Sequence, residues 1–197
     1  FFVISGYLIS SIIIKSLENG TFSFVDFYAR RIRRIFPALL LVMWVCLLAG
    51  WFLFVEQEYE LLGKHIVGGA AFVSNLVLYS ESSYFDANAM FKPFLHLWSL
   101  GIEEQFYIFW PLILWVAWIR KIRLLKTIVY IAGFSFLVSL YLTSTNPVSA
   151  FYLPFSRFWE LLFGAMLAHY VLHHKTELLT TVTVSSHLMS LLGTIFI

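Results

Sequence analysis

Cysteine is nearly absent from this 197-residue chain, which has only Cys46. That excludes an internal disulfide framework or a cysteine-built zinc site. The thiol lies in an apolar run, where a buried inert side chain is expected. Charge is scarce as well: 12% of residues are Asp, Glu, Lys or Arg, and the formal net charge is only +2. Soluble domains carry about twice that charged fraction. No continuous basic face is present, so a nucleic-acid surface is excluded. There is no heptad, no fixed-period repeat, no phosphate-cradling glycine loop, no nucleophile elbow and no metalloprotease motif.

What fills the chain is apolar. Hydrophobic residues make up 60%, with 21 Phe, 10 Tyr and 7 Trp. A water-soluble fold of this length could not hide so much apolar surface, whereas a bilayer can. The expected fold class is all-α, a polytopic transmembrane helical bundle. Spans of about 20 apolar residues are needed to cross the hydrocarbon. The apolar runs are 1–14, 36–55, 66–79, 97–119, 128–142, 158–172 and 188–197, and 22–34 reads as an interfacial stretch. Polar turns or loops are expected at 15–21, 56–64, 80–93 and 176–186, and Pro37 is expected in a first helical turn. Both ends of the chain fall inside apolar runs, so residues 1–197 read as part of one membrane-embedded domain, incomplete at each end.

Basic residues cluster at Arg30–Arg34, Arg120–Lys126 and His173–Lys175. By the positive-inside rule these should share the cytoplasmic side. Three crossings between the first two clusters would separate them. Either one segment is re-entrant, with 63–79 and its Gly68-Gly69-Ala70-Ala71 as the candidate, or the rule fails here.

Three constellations can carry chemistry. The first is Phe27-Tyr28-Ala29-Arg30-Arg31-Ile32-Arg33-Arg34-Ile35-Phe36-Pro37. Four guanidiniums one turn apart need anions, either membrane lipid headgroups or the phosphates of a ligand such as coenzyme A. The second is His96-Leu97-Trp98-Ser99-Leu100-Gly101-Ile102-Glu103-Glu104-Gln105-Phe106-Tyr107. Its three- and four-residue steps place His96, Ser99 or Leu100, Glu103 and Tyr107 on one stripe, with Glu104 about 100° around the helix. Ionisable groups in a membrane segment are expensive and default to function. Arg157 and Glu160, three apart, form the third, read as a substrate-binding or structural ion pair. His169 and His173 are four apart but lack a third ligand, so no metal site is expected. Asp86 is read as a loop residue.

In this order, the motifs Phe1-Phe2-Val3-Ile4-Ser5-Gly6-Tyr7-Leu8-Ile9, Phe27 through Pro37, Tyr84-Phe85-Asp86, His96 through Tyr107 and Arg157 through Gly164 resemble the acyltransferase 3 family of bacterial membrane O-acyltransferases. The resemblance implies an integral membrane enzyme transferring acyl groups other than aminoacyl. It would take an acetyl group from acyl-coenzyme A on the cytoplasmic side and deliver it to a hydroxyl of lipopolysaccharide O-antigen, exopolysaccharide or peptidoglycan. It implies no permanently bound cofactor, a multi-pass protein of the bacterial inner membrane, and a surface or lipid-linked glycan acceptor. Arg31 and Arg34 match the family's paired arginines, with Arg30 and Arg33 beside them. Glu103 and Tyr107 match its acidic helix motif, and Arg157 and Glu160 its later motif. The family's catalytic histidine falls before residue 1, so the piece alone is expected to be inactive. His96 stays a candidate catalytic residue without that assignment. Some members carry an extracytoplasmic domain beyond the membrane region. A transporter or flippase of a glycan-linked or acylated lipid, and a lipid-gripping scaffold, are the competing readings.

Overall fold

The computed structural model describes residues 1–82 and 92–174. The Tyr84-Phe85-Asp86 motif, Lys175, the polar stretch 176–186 and the last apolar run lie outside them. The described residues are helical throughout: α1 (Phe2–Glu18), α2 (Phe24–Leu53), α3 (Glu56–Ala70), α4 (Ser74–Glu81), α5 (Leu97–Ile119), α6 (Leu124–Thr145), α7 (Pro147–Tyr152) and α8 (Phe158–His173), with a 3-10 turn at Pro154–Ser156 before α8. They form an all-α membrane bundle. Among them, α2 and α6 are long and apolar enough to cross a bilayer by length and composition. The 23 residues of α5 match the expected span, but Glu103, Glu104 and Gln105 dilute its hydropathy.

Several boundaries differ from expectation. α1 runs on through Lys15 to Glu18, and the turn is confined to the residues around Gly20, whose φ is +67°. Residues 22–34 are not a separate interfacial element. The Ser23 hydroxyl accepts the Asp26 amide at 3.3 Å and starts a single 30-residue helix. Such a helix is about 45 Å long, so Arg30–Arg34 lie along its shaft rather than at a loop end. Pro37 is interior to α2, where it denies the Arg33 carbonyl its usual amide partner. Residues 56–64 are helical, not a loop, because the Glu58 carboxylate accepts the Val55 amide at 3.3 Å and starts α3. Cys46 is half-buried on α2 rather than enclosed.

The helices sort into two ends. His173 Nε2 meets Glu18 Oε1 at 3.4 Å, and the Phe24 and Trp115 rings pack at 5.6 Å. This end collects Lys15, the α5–α6 turn with Arg120 to Lys126, and the end of α8. At the other end Phe2 packs on Trp98 at 6.0 Å, Trp98 on Phe151 at 4.4 Å, and Tyr79 bonds Ser149 at 2.9 Å. The helices α1, α5 and α8 run toward the basic end, and α2 and α6 run away from it.

Helices α3 and α4 stay at the far end. The chain breaks at Phe72, where φ is +56°, and turns back as α4. The Gln105 amide donates to the Phe72 carbonyl at 2.9 Å and to Asn75 Oδ1 at 2.8 Å, and Asn75 Nδ2 donates to the Tyr152 carbonyl at 3.0 Å. The α3–α4 pair therefore enters beside α2 and returns. The hairpin falls on the segment 63–79, and the Phe72 carbonyl at its turn is held by Gln105 of α5.

The closest helix pair is α1 with α8. A Cβ on Gly6 would overlap the Leu161 carbonyl, and one on Gly164 would overlap the Val3 carbonyl. Small residues allow the two backbones to touch. The Trp110 indole donates to Ser10 Oγ at 2.9 Å and ties α5 to the same pair. Gly6→Leu should force the helices apart, costing at least about 3 kcal/mol, beyond ordinary overpacking. Gly133→Ala meets no atom within 4 Å and should be neutral or stabilising. Thermal unfolding of the two variants in detergent, measured side by side, checks this contrast.

Candidate active site

One stripe of α2 faces α5. Phe24 meets Trp115, the Tyr28 hydroxyl donates to the Ile108 carbonyl at 2.8 Å, and Leu39 packs with Leu97. Arg31 falls on that stripe between Tyr28 and Leu39 and is carried into the bundle. Its guanidinium carbon lies 3.7 Å from the centroid of the Tyr107 ring, a cation–π contact. Its Nη2 is 3.9 Å from Glu104 Oε1, and the two side chains are 17% and 11% exposed. Arg30, Arg33 and Arg34 turn away from the stripe and are exposed.

Glu103 lies on the next face of α5 and is buried. The Ser5 hydroxyl of α1 and the Tyr107 phenol are within hydrogen-bonding reach of its carboxylate. The site thus joins α1, α2 and α5 around Arg31, Glu103, Glu104 and Tyr107. It is under-satisfied: Arg31 Nε and Nη2, Glu103 Oε1 and Glu104 Oε1 are buried with no hydrogen-bond partner. Buried groups of this kind are costly unless something else binds them. A cavity of about 280 Å³ opens there, lined by Tyr28, Arg31, Phe36, Phe72 and Glu104 among others.

His96 does not share this centre. It is exposed just before α5 and lines a separate cavity of about 320 Å³ with Arg34, Phe94 and Leu100. The stripe expected from His96 to Tyr107 is therefore divided. Glu103 and Tyr107 belong to the buried centre, and His96 belongs to a pocket shared with Arg34. Arg31 and Arg34, one turn apart, likewise open onto different cavities. Arg157 and Glu160 pair at 2.7 Å near the far end, with the guanidinium carbon 4.9 Å from Phe151 and 5.6 Å from Trp98. Among the described residues no group of histidine, cysteine or acidic side chains could hold a metal.

A further cluster escaped the sequence reading. Glu81 receives Lys64 at 2.6 Å, His65 at 3.0 Å and Lys92 at 3.9 Å, tying α3 to the end of α4. Burial pushes the His65 imidazole below its ordinary pKa, and the Glu81 carboxylate opposes that. The signal was Lys64-His65 and Glu81 at the two ends of the proposed re-entrant segment. Glu81→Ala should destabilise the protein by about 1–2 kcal/mol, the cost of leaving the buried His65 nitrogen unpaired, because Lys64 is 51% exposed and adds little. Chemical unfolding of the variant checks the loss.

The helical packing and this buried polar centre define a membrane protein that holds opposite charges at its core. The model of the acyltransferase domain family matches residues 1–197, and the chain belongs to that acyltransferase 3 family. It is 36% identical over 206 residues to an uncharacterized protein of Haemophilus influenzae, covering 100% of this chain and 83% of that protein. It is 35% identical over 175 residues to the peptidoglycan O-acetyltransferase OatA of Listeria monocytogenes, covering 85% of this chain but 28% of that longer protein. No solved structure matches the chain.

Proposed function

We propose that this chain is the membrane-embedded part of a multi-pass O-acyltransferase of the bacterial inner membrane. It moves an acyl group, acetyl by preference, from acyl-coenzyme A to a hydroxyl of an envelope glycan such as lipopolysaccharide O-antigen, exopolysaccharide or peptidoglycan. Membership of the acyltransferase family supports the reaction class. The likeness to a peptidoglycan O-acetyltransferase supports a glycan acceptor. The observation that carries the reading is the Arg31 centre, an arginine held in the bundle with unused donors at a cavity wall.

In the reaction the acceptor oxygen bonds to the acyl carbon, the thioester C–S bond breaks, a base takes the hydroxyl proton and the thiol leaves. Negative charge develops on the acyl oxygen, and a preorganised guanidinium in a water-poor site stabilises it strongly. Tyr107 and Glu104 fix Arg31 for that task, which avoids reorganisation during transfer. Glu103, with Ser5 and Tyr107, orients the acceptor or the base. Arg34, with Arg30 and Arg33 beside it, supplies exposed guanidiniums for the phosphates of the donor, where a planar fork matters. The basic end faces the cytoplasm under the positive-inside rule, and the Arg34 cavity lies beside the start of α5, so the donor reaches it along the α2 shaft.

The test follows radiolabelled acetyl from acetyl-coenzyme A into glycan, using the full-length protein in membranes. Arg31→Lys should lower turnover by roughly 10²-fold, the size expected for one lost oxyanion donor. Arg34→Lys should raise the KM for the donor and spare turnover. Label absent from every glycan fraction, despite folded wild-type protein and intact donor, would favour a transporter instead.

A further inference from the structure

At the end away from the basic turn, α6, α7 and the first turn of α8 enclose a cavity of about 230 Å³ lined by Ser139, Thr143, Phe151, Arg157, Trp159 and Glu160, with Pro147 and Ala150. The backbone fixes it firmly. The Ser135 hydroxyl accepts the Trp159 amide at 2.9 Å and donates to the Phe155 carbonyl at 2.6 Å, pinning the start of α8 to α6. The Trp159 ring is set by edge contacts with Phe136 and Phe163, at 5.3 and 5.7 Å. The Arg157 guanidinium lies against Phe151 and Trp98, and Trp98 reaches Phe2 of α1, so this cavity sits at the far end of the bundle.

The chemistry of the lining selects a ligand class. Arg157 Nη1 donates to Glu160 Oε1 at 2.7 Å and Nε to the Phe151 carbonyl at 3.4 Å, which leaves Nη2 and Oε2 outside these bonds. The pair offers a donor and an acceptor side by side at no net charge, which disfavours a lone phosphate or a lone cation. Ser139 adds a hydroxyl, Thr143 adds an acceptor oxygen whose proton goes to the Ser139 carbonyl at 2.7 Å, and the buried Trp159 Nε1 donor has no partner. Aromatic carbon surface lies beside these groups. A neutral ring with alternating hydroxyls and an apolar C–H face meets every one of these features, and the cavity has room for one such ring.

We infer that the Arg157–Glu160 cavity is a saccharide subsite that holds one sugar ring of the acceptor at the far mouth of the bundle. The inference rests on the acyltransferase reading and adds to it where the acceptor is gripped. Trp159 donates through Nε1, the ion pair spans adjacent hydroxyls, and Thr143 and Ser139 complete the polar wall. These residues determine acceptor specificity and take no part in the chemical step.

The test uses the full-length protein in nanodiscs, with acetyl-coenzyme A as donor. The acceptor probes are a β-1,4-linked N-acetylglucosamine tetramer and polysaccharide extracted from the host envelope. Trp159→Phe removes the Nε1 donor and keeps an aromatic ring, and Thr143→Val changes an exposed residue, so both variants should fold. Each should raise the acceptor KM about 3- to 10-fold, the worth of one hydrogen bond, with the KM for acetyl-coenzyme A unchanged. Acceptor KM values within twofold of wild type for both variants overturn the subsite. Absence of transfer by wild type overturns the acyltransferase reading instead. Equilibrium binding of the tetramer and the polysaccharide then decides the subsite alone: binding by wild type that Trp159→Phe weakens upholds it, and no binding by wild type overturns it.

Discussion

A guanidinium cannot be left bare inside a membrane bundle, and the arrangement of this protein follows from that constraint at Arg31. Its position on the inward stripe of α2 places a positive charge inside the bundle, with the side chain 17% exposed. The bundle answers with the face of Tyr107 and the carboxylate of Glu104. An ionisable group at this depth costs several kcal/mol unless it is paired, and the pairing fixes the register of α2 against α5. Glu103, one residue away, extends the polar centre to Ser5 of α1. The contact of α1 with α8 through Gly6 and Gly164 then holds that helix close enough to take part.

The same constraint explains why the centre has reactive potential. Packing alone would favour complete satisfaction of every buried donor and acceptor. Here Arg31, Glu103 and Glu104 each keep a buried atom without a protein partner, and Arg31 and Glu104 line a cavity of about 280 Å³. A family that moves acyl groups needs such a place, where fixed dipoles face the charge that develops during transfer.

Much of this architecture was legible in the sequence. α5 was readable to the residue, because an apolar run of its length is bounded by polar residues at both ends. Counting basic clusters against crossings singled out 63–79, where the chain folds back as the α3–α4 hairpin. Other features were hidden for identifiable reasons. Arg30 to Arg34 look alike in sequence, and only the stripe Phe24, Tyr28, Arg31, Ile35 and Leu39 sets Arg31 apart. The break at Phe72 itself is neither glycine nor proline, and it depends on hydrogen bonds to the Phe72 carbonyl and to Asn75 from Gln105 in distant α5. The helical rule placed His96 on the stripe with Glu103, but the turn before Leu97 takes it out to the surface. Glu81 drew no attention because its partners lie across a hairpin that must form first.

The account stands on the internal pairing of Arg31. The most direct measurement is a double-mutant cycle of Arg31→Met and Glu104→Gln in the full-length protein, reading the free energy of unfolding in a bilayer. Contacting charges in one network should couple by at least about 1 kcal/mol. Additivity to within about 0.5 kcal/mol would mean that the two side chains do not meet, and the centre described here would be wrong.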